Sequence, residues 1–317
     1  MITYRSYQPG DEEVIVELWN RCLSHDPITR VRFRNLVLLD ANFDPEGLRL
    51  AMAGDRLLGC LYAVRRQLPM HGTELEPSIG WIPFFFVDPF ARRQGVGTRL
   101  LNDGLQWLRA LQRTQVYFAS YAPNYIVPGL DEAHYPEGLA FLLSHDFTRL
   151  YSPVAMDCSL VDWKMPEAVT ALKQQRIQEG YTFRLAEDGD LYELIQFATD
   201  VFNPDWGRAI REGVLRGLPL SQIWVAREHG KLVGFCMHGG YEGISERFGP
   251  FGVDPEQQGK GLGKILLCDC LASMRAQGLH GAWFLWTGEQ TAAGHLYKKT
   301  GFVVTRTFQV MCKKLME

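Results

Sequence analysis

No stretch of this 317-residue chain approaches the roughly 18 uninterrupted apolar residues of a membrane-spanning helix. The opening residues, MITYRSYQPGDEE, contain no apolar run of signal-peptide length. A soluble, cytoplasmic protein without a membrane partner is therefore expected. An excess of one charge is missing too: 33 Lys and Arg against 36 Asp and Glu leave a formal charge of −3, with the two signs mixed along the chain. Without a basic stripe to neutralise phosphates, nucleic acid is not an expected partner. Cysteines are few and unpatterned. The seven (Cys22, Cys60, Cys158, Cys236, Cys268, Cys270 and Cys312) show no zinc-ligand spacing and sit mostly in apolar runs, where a reduced, buried thiol is the ordinary state. A reducing compartment and no bound metal are expected.

What is present is a pattern that occurs twice. With 46% hydrophobic residues, the chain can bury two cores of ordinary size. Val87-Asp88-Pro89-Phe90-Ala91-Arg92-Arg93-Gln94-Gly95-Val96-Gly97 is echoed by Val253-Asp254-Pro255-Glu256-Gln257-Gln258-Gly259-Lys260-Gly261-Leu262-Gly263. Tyr4-Arg5, before an acidic helix start, returns as Phe183-Arg184, and Leu57-Leu58-Gly59 returns as Leu232-Val233-Gly234. A chance match would not bring its neighbours along in order, so two copies of one domain are expected.

Each copy reads as a strand, one or two helices, a strand pair around a tight turn, a long apolar strand, a Gly-rich turn, a long helix, a strand, a helix and closing strands. That order implies an α/β fold with a mixed α+β sheet. In the second copy the strand pair is 223–228 and 232–238 around His229-Gly230-Lys231, and Leu262, Leu266, Cys270 and Met274 recur as the buried stripe of a helix. Pro166 can open a helix running to Gly180. The expected layout is a first domain over 1–157, a linker helix over 158–180 and a second domain over 181–317.

A strand, then Gln258-Gly259-Lys260-Gly261-Leu262-Gly263, then a helix puts unencumbered N–H groups at a helix N-terminus, a natural anion site. Two phosphate-binding motifs fit poorly. A P-loop needs Ser or Thr after its Lys, whereas Lys264 precedes Ile265; the dinucleotide fingerprint needs G-x-G-x-x-G, whereas the spacing here is G-x-G-x-G. The spacing, with its copy Arg92-Arg93-Gln94-Gly95-Val96-Gly97, instead resembles the pyrophosphate motif of the GNAT superfamily of N-acetyltransferases. The preceding Val-Asp-Pro, the following apolar helices and the later run Leu296-Tyr297-Lys298-Lys299-Thr300-Gly301-Phe302 are similar to that family as well.

The resemblance implies two tandem GNAT-like acyl-CoA-binding domains, and transfer of an acetyl or other acyl group from acetyl-CoA to the primary amine of a small acceptor. It places the pantetheine arm on the backbone of Phe251, Gly252 and Val253, and the pyrophosphate on the N–H groups from Gly259 to Lys264, beside Gln258. The equivalents in the first copy are Phe86, Val87, Arg92, Arg93, Gln94, Gly95, Val96 and Gly97. Tyr297 falls where the family often carries the acid that protonates the leaving thiolate, and Glu246 where it often carries a glutamate base; Glu242 and His238 are alternatives. Gln290 stands where the family often has Asn. In the first copy the tyrosine position falls on Leu142, which cannot donate a proton, so the second copy is the expected working site and the first a degenerate one. The connection from Ala122 to Glu137, with Asn124, Tyr125, His134 and Tyr135, reads as a substrate loop or a surface excursion. Near the acceptor side lie Trp206, Phe248, Trp283 and Trp286; the last two, three apart on a strand, face opposite sides. The alternative class is a non-catalytic acyl-CoA-binding or regulatory protein, and a monomer or homodimer is expected.

Overall fold

Each half of the chain starts with a short strand whose arginine reaches an aspartate at the next helix start. Arg5 donates to both carboxylate oxygens of Asp11 at 2.6 and 2.7 Å, and Arg184 to those of Asp190 at 2.6 and 2.9 Å. These pairs belong to a computed structural model that describes residues 1–315; Met316 and Glu317, the end of the expected second domain, lie outside the described residues. The first compact unit comprises Met1–Pro69, Glu74–Pro153 and the segment from Thr307; the second comprises Met70–Thr73 and Val154–Arg306.

In the first unit the elements run β1 (Thr3–Ser6), α1 (Glu12–Cys22), α2 (Arg30–Phe33), β2 (Leu48–Ala53), β3 (Arg56–Val64), β4 (Ile79–Val87), α3 (Val96–Ala110), β5 (Gln115–Phe118), β6 (Leu130–Asp131), α4 (Pro136–Ser144) and β7 (Thr148–Tyr151). Strands β1 to β4 pair antiparallel in order. Side-chain alternation on β3 feeds two cores. Cys60 and Tyr62 pack with Ile15, Leu18 and Trp19 of α1, and Leu61 and Ala63 with Leu100, Leu101 and Leu105 of α3. Strand β5 runs parallel to β4 only over Ile79–Ile82. Pro83, which has no N–H to continue a ladder, follows directly. Beyond it β4 keeps its β3 partner and parts from β5.

The second unit contains β8 (Val154–Ser159), α5 (Glu167–Gln178), β9 (Tyr181–Leu185), α6 (Leu191–Phe197), α7 (Pro204–Leu215), β10 (Ile223–Glu228), β11 (Lys231–His238), β12 (Phe248–Val253), α8 (Leu262–Ala276), β13 (Gly281–Thr287), α9 (Ala292–Thr300) and the start of β14 (Val303–Lys314). Strands β9 to β12 repeat the antiparallel order of β1 to β4. Register shifts at Ala226/Arg227 and Cys236/His238 match those at Ala51/Met52 and Tyr62/Val64. The stripe Leu262, Leu266, Cys270 and Met274 is buried as expected. Strand β12 meets β13 through the bridge Arg247 to Trp283 and then diverges.

The units depart from the expected layout in three places, the first being Met70–Thr73, which groups with the second unit. Helix α5, expected as a linker, is a packed part of the second unit: Val169 is buried with Ile265 and Cys268, and Lys173 pairs with Asp269 at 2.7 Å. The closing strands are exchanged. Strand β8, the end of the first copy in chain order, pairs with β13, while β14 beyond Arg306 pairs with β5, β6 and β7. Among the described residues, no helix is long and apolar enough to cross a membrane, and no cluster of His, Cys, Asp or Glu could hold a metal ion.

The Asp190 carboxylate is held well below the usual range by Arg184, then by the Glu187 N–H and Arg227. A depressed carboxylate contributes stability above its unfolded value and loses it as pH falls through the folded one. Asp190→Asn is expected to cost about 2 kcal/mol at neutral pH, in line with charged hydrogen bonds partly lost. In urea unfolding, the gap to wild type should close in acid.

Candidate active site

Between β4 and α3 the chain makes the turn anticipated for an anion. Despite its burial, Asp88 is kept ionised by Arg56 at 2.9 Å and the Phe90 N–H at 3.0 Å, which fixes the turn's entry. Gly95 takes φ +80° and caps α3, a left-handed conformation that favours glycine. A Cβ there would meet nothing within 4 Å. The N–H groups of Val96, Gly97 and Thr98 precede the first helical bond, from Arg99 N–H to Gly95 O at 3.0 Å, and lie at the positive end of a 15-residue helix. Exposed Arg92 and Arg93 flank them.

From this turn a cleft of about 820 Å³ runs along the gap between β4 and β5, the size of a small-molecule site. Phe84 and Phe86 are fixed on its α1 side by Trp19, at ring distances of 4.7 and 5.6 Å, and Phe85 lies 5.4 Å from Phe141 of α4. Leu142 also lines it. The Cys22 thiol, pushed up to about 11 by burial, donates to Val87 O at 3.5 Å and stays protonated at neutral pH. It is therefore no nucleophile. The cleft's polar residues gather at the end of α1 and around β6. His134 Nδ1 lies 2.7 Å from Asp131 Oδ2, the His25 and His134 rings stack at 3.8 Å, and the Tyr135 hydroxyl donates to Asp26 at 2.9 Å.

The second copy keeps the backbone turn and packs side chains of α5 against it. Gly261 has φ +77°, but Leu172 of α5 lies 2.7 Å from where its Cβ would stand, and Arg176 Nε donates to Lys260 O at 2.8 Å. Lys260 Nζ turns to Tyr181 and Gln257, each at 2.7 Å. The gap beside β12 holds aromatic rings: Tyr297 packs against Phe284 at 4.6 Å, Phe302 at 5.4 Å, and Phe248 and Phe251 at 6.0 Å. Burial pushes the Tyr297 phenol well above its ordinary value. It would donate to a thiolate more weakly than a solvated tyrosine.

Residues 13–126 match the acetyltransferase (GNAT) family and residues 219–304 the acetyltransferase (GNAT) domain. The chain carries two GNAT domains in tandem. It is similar to the mycothiol acetyltransferase of Thermobispora bispora, 25% identical over 315 residues that cover 93% of each chain. It is similar also to that of Streptomyces avermitilis, 26% identical over 96% of this chain and 92% of that one. The fold is shared with a tandem GNAT protein from the clavulanic acid biosynthesis pathway, with TM-score 0.65, 15% identity, and coverage of 99% of this chain and 98% of that one.

The two GNAT domains place their matching residues alike: Phe147 N–H donates to Leu142 O at 3.1 Å and Phe302 N–H to Tyr297 O at 3.0 Å, so Leu142 and Tyr297 are equivalent. Among the base candidates, Glu242 is paired with Arg247 at 2.7 Å, and His238 is wholly buried and held by Ser245 O at 2.8 Å. Glu246 accepts the Trp283 N–H through its main chain at 3.0 Å. Trp286 is exposed, whereas Trp283 lies under Arg247. Sequence reasoning missed His25, Asp26 and Asp131. For Asp131, its spacing of three from His134 inside the long connection was the signal available.

Phe202 covers Gly252, with ring atoms 2.5 to 2.8 Å from an added Cβ. Gly252→Ala is expected to destabilise the second domain by about 1–3 kcal/mol through overpacking, measured by denaturant unfolding.

Proposed function

We propose that the chain is an acetyl-CoA-dependent N-acetyltransferase acting on the primary amine of a small acceptor, with acetyl-CoA held in the first GNAT domain. One observation carries the choice of domain: the helix N-terminus behind Gly95 opens onto the cleft, whereas Leu172 packs 2.7 Å from where a Cβ on Gly261 would stand. The residues fit the cosubstrate. The N–H groups of Val96, Gly97 and Thr98, with Arg92 and Arg93, suit the pyrophosphate. The edge of β4 that parts from β5 after Ile82 suits the pantetheine amides, and the Phe85 and Phe86 segment would bring the thioester against apolar walls. Apolar walls of this kind strengthen any donor aimed at the carbonyl.

Tyr297 and the second turn were the expected machinery, and filling by Leu172 and four phenylalanines supports a structural role for both instead. A second acetyl-CoA site in the second domain has one observation in its favour, since Gly259 keeps φ +83° with nothing within 4 Å of an added Cβ.

Calorimetric titration of acetyl-CoA is expected to show binding that Gly95→Glu weakens at least about tenfold, by placing a carboxylate at the pyrophosphate position, with the fold checked by unfolding temperature. Gly261→Glu should leave affinity within about threefold and Tyr297→Phe should leave turnover within about threefold, well short of the loss on removing a proton-transfer group. Loss of binding only in Gly261→Glu would return the site to the second domain.

A further inference from the structure

The polar end of the first domain's cleft has the parts of a proton-transfer device. Asp131 is 2% exposed and its Oδ1 accepts the N–H groups of Ala133 at 3.1 Å and His134 at 3.3 Å. Its strand is fixed by the pairing of Asp131 with Phe308. The carboxylate thus has one orientation, and its Oδ2 faces His134 Nδ1 at 2.7 Å. With Nδ1 held there, Nε2 is the nitrogen left to exchange a proton. The His134 side chain is 34% exposed and lines the same cleft as Phe84 to Phe86. The other titratable groups around it are His25, stacked at 3.8 Å, and Tyr135, whose hydroxyl donates to Asp26. Toward the turn stands Glu137, paired with Arg92 at 2.7 Å.

We propose that His134 is the catalytic base of the acetyl transfer and that Asp131 is its positioning residue, a pair that replaces the tyrosine and glutamate expected in the second domain. This rests on acetyl-CoA occupying the first domain's cleft. A primary amine is protonated at neutral pH, so the acceptor arrives as a small primary ammonium compound. It first sheds one proton to water through the His134 ring. The neutral nitrogen then attacks the thioester carbonyl carbon, the carbon–nitrogen bond forms and the carbon–sulfur bond breaks. Nε2 takes the second proton from nitrogen and returns it to the departing thiolate. The products are the amide and the free thiol, and the enzyme is unchanged.

Four full-length proteins test this: wild type, His134→Gln, Asp131→Asn and Asp131→Glu. Acetyl-CoA affinity is read by calorimetry. Thiol release from acetyl-CoA is followed across the neutral pH range with a panel of primary amines, and with water as nucleophile in their absence. His134→Gln should bind acetyl-CoA within about threefold of wild type and lose about 10²- to 10⁴-fold in kcat, the range for removing a general base. Asp131→Asn should lower kcat about tenfold while KM and acetyl-CoA affinity stay within about threefold, because the ring loses the acceptor that orients it, and Asp131→Glu should recover part of the loss. A purely structural role for Asp131 would lower binding and kcat together. Normal binding with an unchanged rate in His134→Gln would overturn the base assignment alone. Absence of acetyl-CoA binding, or of thiol release, in wild type would overturn the reading of the cleft and this proposal with it.

Discussion

The first domain's site depends on a parallel strand pair that stops halfway. Strands β4 and β5 share a ladder only from Ile79 to Ile82, and Pro83 cannot extend it. An edge of unpaired backbone inside a protein is costly unless a partner or solvent satisfies it. Here it borders a cleft. The helix that follows must start where β4 ends, so the same interruption that frees the strand edge also aims the α3 N-terminus into the space beside it. Trp19 then fixes Phe84 and Phe86 from the other face. One break in a ladder therefore sets the length of the cleft, its apolar wall and its charged end.

The second domain shows the same backbone with a different solution. The glycine turn, the register shifts and the arginine–aspartate pair are retained, but Leu172 covers the turn, Phe202 covers Gly252 and a ring cluster fills the gap. Burying an apolar side chain of this size contributes about 1.5–3 kcal/mol, and filling a cavity also restores lost packing contacts. The second domain thus gains stability where the first keeps space. A duplicated domain can divide the two demands in this way, because binding needs a cavity and folding favours none.

Charge follows the same division. In the first domain Asp131, His134, His25, Asp26 and Tyr135 are linked to one another and face the cleft. In the second, Asp205 with Arg208 is a buried pair and Glu242 with Arg247 a half-buried one, whose partners consume their charge. A buried charge fully paired inside the protein has little left to offer a ligand, whereas an imidazole held at one nitrogen keeps the other for chemistry.

The duplication, the order of elements, the two glycine turns and the buried stripe of α8 are legible in the residues alone. Each is a local property: a left-handed turn needs glycine, a helix face needs its four-residue spacing, and a repeat is visible as text. The equivalence of Leu142 and Tyr297 came with the family resemblance. The packing around each turn is a different matter. Nothing in Arg92–Gly97 or Gln258–Gly263 says that a leucine some ninety residues upstream lies over one and not the other. Nor does β8 or β14 carry a mark of its partner, because an apolar strand fits any sheet edge of matching register and its neighbours are chosen by the completed core. His134 was visible as a residue in a long connection, but its pairing with Asp131 and its stack on His25 depend on β6 joining β14 and on where the chain leaves α1. Long-range packing made those choices, and it acts through space rather than along the sequence.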